Sequence, residues 1–370
     1  MSQPFRVAFV GVDHPHGAAW RESLLHLAGE VVITAIVPGF GGELASLEET
    51  LARVPRFATV AELIAKGGSS FDGAVICLPN ERVPAALEQL AAAGKHILAE
   101  KPCGVNAAAA RPALEKVQRA GVAFQTGYLW RYDEGAQRLK AMIAEGRFGK
   151  LISVEMTLVT SDANRRGPSH FLFDPQQSGG GFFNWLGCHY LDLLAYVTGQ
   201  SVISVTARTG VFGETRLGVE DGGTAIFDLS GGGLATLTGG YWLPRWAGEW
   251  RWAVRGSRRW VHWDPNRTGT SGVLEIHGPQ PQFHAMEEVF SLPLDQTPGY
   301  GGARSRELIR DWIAVARGQR GECRNTPAST LAVLKLMDTV FQASAEGRRI
   351  PLARRAVGKN QFLRGPRRRA

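Results

Sequence analysis

The sequence predicts two domains of different class: an α/β domain on a doubly wound parallel sheet, then an α+β domain around a mostly antiparallel, open sheet. Three observations carry that expectation. Over residues 5–126 short apolar runs alternate with segments of helical apolar spacing, the pattern of right-handed crossovers between parallel strands. After Gly127 strand patterns dominate, several of them joined by glycine turns such as Ser230 to Gly233, which is hairpin chemistry. Finally, 370 residues are too many for one ordinary core, and 44% hydrophobic content is enough to fill two.

Taken in order, Phe5 to Val10 reads as a buried strand broken by Gly11, and Gly17 to Leu27 as a helix packed on the sheet. Strand Val31 to Val37, a helix around Ala61 to Ala65, strand Gly73 to Leu78, helix Val83 to Ala93, strand His96 to Ala99, helix Ala107 to Ala120 and strand Val122 to Thr126 follow. The second domain opens with a helix around Glu134 to Ala144 that ends at Gly146. Its strands include Leu151 to Thr160, Ser204 to Val211, Thr224 to Leu229, Leu234 to Gly239 and Trp250 to Val254, and helices Arg304 to Arg317 and Ala328 to Glu346 close it. The expected divisions are 1–126, 127–352 and a basic, disordered tail at 353–370.

The formal charge of +8 would suggest a nucleic-acid partner if it were spread over a face. It is concentrated instead: Arg354, Arg355, Lys359, Arg364, Arg367, Arg368 and Arg369 lie in the tail, which has no acid. Such a block reads as solvated chain, so no nucleic-acid partner is expected. Cys77, Cys103, Cys188 and Cys323 are far apart with no C-x-x-C pair, which suggests neither zinc nor disulfides and fits a reducing cytoplasm. No leader or membrane-spanning run is apparent, and no membrane association is expected.

In an open parallel sheet ligands bind beyond the carboxyl ends of the strands. The first such turn, Gly11-Val12-Asp13-His14-Pro15-His16-Gly17, satisfies only the first glycine of a G-x-G-x-x-G dinucleotide fingerprint, because Asp13 takes the second position and Gly17 comes one residue late. The strand and helix around it are nevertheless those of a Rossmann unit, so Gly11, Asp13 and His14 are expected to border a dinucleotide. As metal ligands Asp13, His14 and His16 match no common cage, and no metal is expected. After the second strand, Val37-Pro38-Gly39-Phe40 offers no carboxylate for a ribose and no arginine for a 2′-phosphate, which leaves NAD or NADP open. Pro79 and Asn80 follow the third strand and join the expected cofactor border.

The fourth turn reads Gly94-Lys95-His96-Ile97-Leu98-Ala99-Glu100-Lys101-Pro102. With it, the chain resembles the Gfo/Idh/MocA oxidoreductases, the glucose-fructose oxidoreductase and inositol dehydrogenase group. The resemblance extends through Gly127-Tyr128-x-x-Arg131-Tyr132, Gly146-Arg147-Phe148-Gly149, Gly179-Gly180-Gly181 with His189 and Asp192, Glu220-Asp221, and Ser344-Ala345 before Gly347. It implies hydride transfer between NAD(H) or NADP(H) and a secondary alcohol of a sugar, cyclitol or related polyol. It also implies association as a homodimer or homotetramer through the open sheet. Lys101, at a strand's carboxyl end, would polarise the reacting oxygen, with Glu100 and Lys101 both beside the cofactor.

The resemblance gives His189 the substrate hydroxyl, as general base or orienting donor. Helical spacing puts Trp185, His189, Asp192 and Tyr196 on one stripe. Many members carry an aspartate where this chain has Trp185, which cannot supply a carboxylate's charge but can stack on a pyranose or a nicotinamide. Asp192 is expected to be structural. Tyr128, Arg131, Arg165, Trp185 and His189 are the candidate substrate contacts, and the polar segment Ser161 to Gln177 is the expected substrate loop. The tryptophans Trp242, Trp246, Trp250, Trp252, Trp260 and Trp263 fit sheet packing or a subunit interface. Two other readings remain: an enzyme using tightly bound NAD for transient oxidation during an elimination or hydrolysis, and a non-catalytic dinucleotide-binding regulator.

Overall fold

A computed structural model describes residues 3–14, 17–40, 51–161, 163, 167, 170–214, 216–244, 248–278 and 286–352. The basic tail, His16, Arg165, Arg166 and Trp246 lie outside these residues.

Five strands, β1 (Phe5–Val10), β2 (Val31–Val37), β3 (Gly73–Ile76), β4 (His96–Ala99) and β5 (Phe124–Thr126), pair in the order β2-β1-β3-β4-β5, every pair parallel. The run Gly73–Ile76 is buried throughout, as expected of a strand covered on both faces. Crossovers run through α1 (Gly17–Leu25), α2 (Val60–Gly67), α3 (Val83–Ala92) and α4 (Ala107–Ala120). Local chemistry sets their ends. The Thr59 hydroxyl accepts from the Glu62 N–H to start α2, Asn106 accepts from the Ala109 N–H to start α4, and left-handed Gly121 stops it. The strand order reverses between β1 and β3, so the crevice beyond their carboxyl ends is the switch point where an open sheet takes its ligand.

Beyond a helix α5 (Glu134–Ala144), capped by Asp133, lies a nine-stranded sheet. It contains β6 (Leu151–Ser161), β7 (Val202–Gly210), β8 (Gly222–Leu229), β9 (Leu234–Leu243), β10 (Gly248–Gly256), β11 (Trp260–Asp264), β12 (Val273–His277), β13 (Met286–Ser291) and β14 (Ile350–Pro351). The order is β13-β12-β11-β10-β6-β9-β8-β7-β14, antiparallel except for β6 and β9. A short helix α6 (Pro175–Ser178) and the helix α7 (Cys188–Thr198) precede β7. Trp252 and Trp263 are wholly buried on the inner face, Trp252 edge-on to Tyr190. The outer face stays open. One cross-strand row on it reads Val289, Glu275, His262, Ala253, Glu155, Thr236 and Ile226.

The last two helices, α8 (Ala303–Ala316) and α9 (Pro327–Glu346), reach back to the parallel sheet. On α8, Trp312 is fully buried, 5.2 Å from the Phe5 ring, and its indole N–H donates to the Ala123 carbonyl. The α9 carboxylate Asp338 accepts from the Ala107 N–H that opens α4. Among the described residues no helix is long and apolar enough to cross a membrane.

Candidate active site

The turn after β1 is held by shape. Gly11 has φ +76°, and a Cβ there would stand 1.9 Å from the Cys77 carbonyl oxygen, so only glycine fits. The Asp13 carboxylate accepts from the Gly39 and Phe40 N–H groups at 2.5 and 2.8 Å and ties the turn after β1 to the turn after β2. The Arg82 guanidinium donates to the Gly39 carbonyl at 2.5 Å, bringing to the end of β2 a cation that the local sequence lacks. Pro79 and Asn80 are buried after β3, and the Asn80 amide donates to the Ser178 carbonyl across to the second domain at 2.7 Å.

At the end of β4 the Glu-Lys-Pro turn contains a cis Lys101–Pro102 bond and a left-handed Cys103. The Lys101 side chain has no exposed surface. Its ammonium donates to the Trp185 carbonyl at 2.6 Å, lies 3.7 Å from the centroid of the Trp185 ring, and stands 3.6 Å from a Glu100 carboxylate oxygen. The other Glu100 oxygen accepts from the Trp20 indole at 2.7 Å. Burial pushes the Glu100 carboxyl up, against the opposing pull of Lys101 and Trp20. Glu100 therefore works from beneath Lys101, as a counter-charge.

Trp185 and His189 are carried by a segment with an irregular start. A helix beginning near Phe182 is present, but residues Phe183–Gly187 form a π turn before regular α7, a distortion that recurs at functional sites. Trp185, whose carbonyl accepts the hydrogen bond from the Lys101 ammonium, lies in this turn. The carboxylate of Glu220 fastens the segment by accepting from the Gly181 and Phe183 N–H groups at 2.8 and 2.9 Å. Burial raises the Glu220 carboxyl to about 7, although these N–H groups favour its ionised form. A Cβ at Gly181 would meet the Glu220 carbonyl oxygen at 1.9 Å, so the glycine run serves close backbone approach.

His189 is buried, and among the described residues its Nδ1 has no hydrogen-bond partner. Burial, then the charges of Lys101 and Arg304, hold its imidazole far below the usual histidine range. Tyr128 crosses it edge-on at 6.0 Å, with a hydroxyl that is likewise buried and unpartnered. His14 completes the group. It lies nearly parallel to the Trp185 ring at 6.1 Å, and burial, Lys101 and His170 lower its pKa to about 3. Phe171, from the expected substrate loop, packs on His14 at 5.3 Å and on Phe40 at 5.2 Å.

Of the residues singled out in the sequence, Glu100, Lys101, Tyr128, Trp185, His189 and His14 thus converge. Arg131 does not open into the group. It forms a two-pronged ion pair with Asp192 at 2.9 and 2.6 Å and also donates to the Arg324 carbonyl, so Asp192 spends its charge on Arg131. Trp20, Arg82, Phe171 and Glu220 join the site without a role read from the sequence. Glu220 alone left a trace there, as part of the Glu220-Asp221 motif.

The cluster suits a nicotinamide dinucleotide and an alcohol. A switch-point crevice with a tight glycine turn faces it, and a buried ammonium, a neutral imidazole nitrogen and a phenol hydroxyl supply donors and acceptors that the protein leaves unused at His189 and Tyr128.

Comparison with known proteins agrees in both halves of the chain. Residues 5–128 match the profile of the "oxidoreductase family, NAD-binding Rossmann fold", and residues 136–262 match the "GFO/IDH/MocA C-terminal domain". An inositol 2-dehydrogenase of Rhizobium meliloti is 26% identical over 78% of this chain and 83% of its own length. The rhizopine catabolism protein MocA of the same organism is 28% identical over 86% and 91%. Among solved structures, levoglucosan dehydrogenase in complex with NADH superposes with a TM-score of 0.81 at 16% identity, over 95% of this chain and all of that one.

Proposed function

Since the chain belongs to the Gfo/Idh/MocA family of NAD(P)-dependent oxidoreductases, we propose that it interconverts a secondary alcohol and a ketone on a sugar, cyclitol or related polyol, with Lys101 and His189 at the reacting oxygen. The observation that carries this reading is the fully buried Lys101 ammonium, whose charge bears on the His189 imidazole, together with a buried His189 Nδ1 that has no hydrogen-bond partner among the described residues. A bound nicotinamide supplies the acceptor and donor of hydride.

The chain's own residues govern the oxygen and its proton. Lys101 stabilises the negative charge that develops as the hydroxyl loses its proton, in a site where burial keeps that charge from being screened. His189, neutral in the resting site, is free to accept the proton in oxidation and to return it in reduction. Tyr128 offers a second hydrogen bond to the same region. Trp185 takes the place of a carboxylate and, with its ring under the Lys101 ammonium and its carbonyl accepting from it, fixes where that ammonium stands. Glu100 holds the ammonium from below, while the Arg131–Asp192 pair fixes α7 and positions His189. The dinucleotide would lie along Gly11, His14 and Pro79, with Arg82 near its adenosine end.

The sugar and inositol dehydrogenases among the relatives support a polyol substrate. The apolar Ile226 and Leu234, exposed on the outer face where β8 and β9 pair, support a homodimer or homotetramer that covers that part of the sheet, which light scattering would read. Four buried, unpaired cysteines support a reducing, cytoplasmic setting.

The deciding experiment is titration with NADH and NADPH, followed by tryptophan-to-nicotinamide energy transfer, and then a polyol screen with the preferred cofactor. Saturable binding and polyol oxidation are expected. In Lys101→Met cofactor binding should persist while kcat falls roughly 10²–10³-fold. Failure of the wild-type protein to bind either cofactor would overturn the proposal.

A further inference from the structure

The outer face of the large sheet carries a second group of ligand-type side chains, remote in sequence from every residue of the candidate active site. On the antiparallel strands β11 and β12, His262 stands opposite Glu275 and Trp260 opposite His277. Alternate residues of a strand share a face. Glu275 and His277 therefore project to one side, and cross-strand pairing sets His262 on the same side. One ligand atom from each of the three lies within 4.8 Å of the other two, the only such trio of His, Cys, Asp or Glu among the described residues.

The surroundings are arranged as for metal ligands. The Nε2 of His277 is buried and has no hydrogen-bond partner among the described residues, an unsatisfied group that calls for a reason. Its ring is clamped by Trp260, with centroids 5.0 Å apart and planes 4° from parallel, and the His262 ring lies 5.5 Å away. Arg267 steadies Glu275 from 3.6 Å. Outer contacts of this kind orient metal ligands. An adjoining cleft of about 420 Å³, bordered by His262, Glu275, Asn266 and Arg251, gives an entry path and room for a further ligand.

We propose that His262, Glu275 and His277 bind one divalent transition metal of the zinc class, with a fourth position open to that cleft. Two imidazole nitrogens and one carboxylate suit zinc, nickel or copper, whereas calcium and magnesium take sets of oxygens. Bonds of about 2.0–2.1 Å put tetrahedral ligand atoms about 3.3 Å apart, a closure that half-buried side chains reach by small χ rotations. The register contributes as much as the residues do: shifting β12 by one position would send Glu275 and His277 into the core.

The test uses the full, untagged chain, freed of metal with a chelator and titrated with zinc chloride in a calorimeter at pH 7.5. One zinc per chain is expected, with no displacement by a large excess of calcium or magnesium. His262→Ala, His277→Ala and Glu275→Gln should each weaken binding at least tenfold while melting as the wild type does without metal. Nickel gives an independent reading, because it should quench the emission of Trp260, and Trp260→Phe should lose that share of the quenching. Absence of saturable zinc binding, or variants that bind as the wild type does, would overturn the proposal. Should the histidine variants fail to fold, equal nickel quenching in wild type and Trp260→Phe would overturn it as well.

Discussion

Removing one partner of the Arg131–Asp192 pair should damage the fold far more than removing both. The pair is nearly sealed, with side-chain exposures of 9% and 0%, and its two bonds are short. In Asp192→Leu the guanidinium stays buried with only the Arg324 carbonyl as its described polar partner, and breaking a buried pair in this way costs about 3–5 kcal/mol. Arg131→Met leaves the carboxylate stranded at a similar cost. The double variant Arg131→Met, Asp192→Leu removes both charges and should recover most of the loss, since apolar replacement of a whole buried pair is often close to neutral. Urea denaturation followed by tryptophan emission measures all four corners of this cycle. A single variant losing less than about 1 kcal/mol would refute the reasoning, because no buried charge would then be stranded. The same variants test the positioning role: a stable double variant should keep its substrate KM within about threefold and lose mainly kcat through His189, whereas a large rise in KM would make Arg131 a substrate contact.

Two further outcomes follow from the site. Glu220 holds its proton to about pH 7 in the folded chain and to about 4.5 when unfolded, so its contribution is complete below pH 4.5 and is lost as pH rises through 7; stability should fall by something on the order of 3 kcal/mol across that window, and Glu220→Gln should remove this slope from paired urea midpoints at pH 4.5 and 8. Gly11→Ala combines a left-handed φ with a Cβ 1.9 Å from the Cys77 carbonyl and should cost about 2–5 kcal/mol; a urea midpoint equal to the wild type would contradict the packing described for that turn.

Much of the first sheet was legible because its signals are local. Alternating apolar runs, the breaks at Gly11 and Gly121, and the nine-residue stretch from Gly94 to Pro102 each sit within a few turns of what they determine. Lys101 was singled out that way. What stayed hidden depends on partners far along the chain. The ties of Asp13 to the N–H groups of Gly39 and Phe40, and of Arg131 to Asp192 61 positions later, leave no mark in the sequence around either residue. The π turn at Phe183–Gly187 has no periodic signature because it adds one residue to an otherwise helical pattern. His262, Glu275 and His277 are unremarkable as letters. Only the pairing register of two strands brings them together.

The placement of Trp312 bears on how the chain matures. Its indole fills the space over Gly73, where even a Cβ would come within 2.7 Å of the ring, and it seals the Phe5 end of the parallel sheet. While the protein is being made, residues 5–126 leave the ribosome long before α8 does, so one face of a finished-looking sheet must wait uncovered. A nascent chain in that condition exposes apolar surface of the kind chaperones hold. A fragment cut after the first family profile would inherit the same bare face permanently. Emergence of α8, more than completion of the first half, therefore sets the moment at which the end of the sheet opposite the dinucleotide crevice is closed.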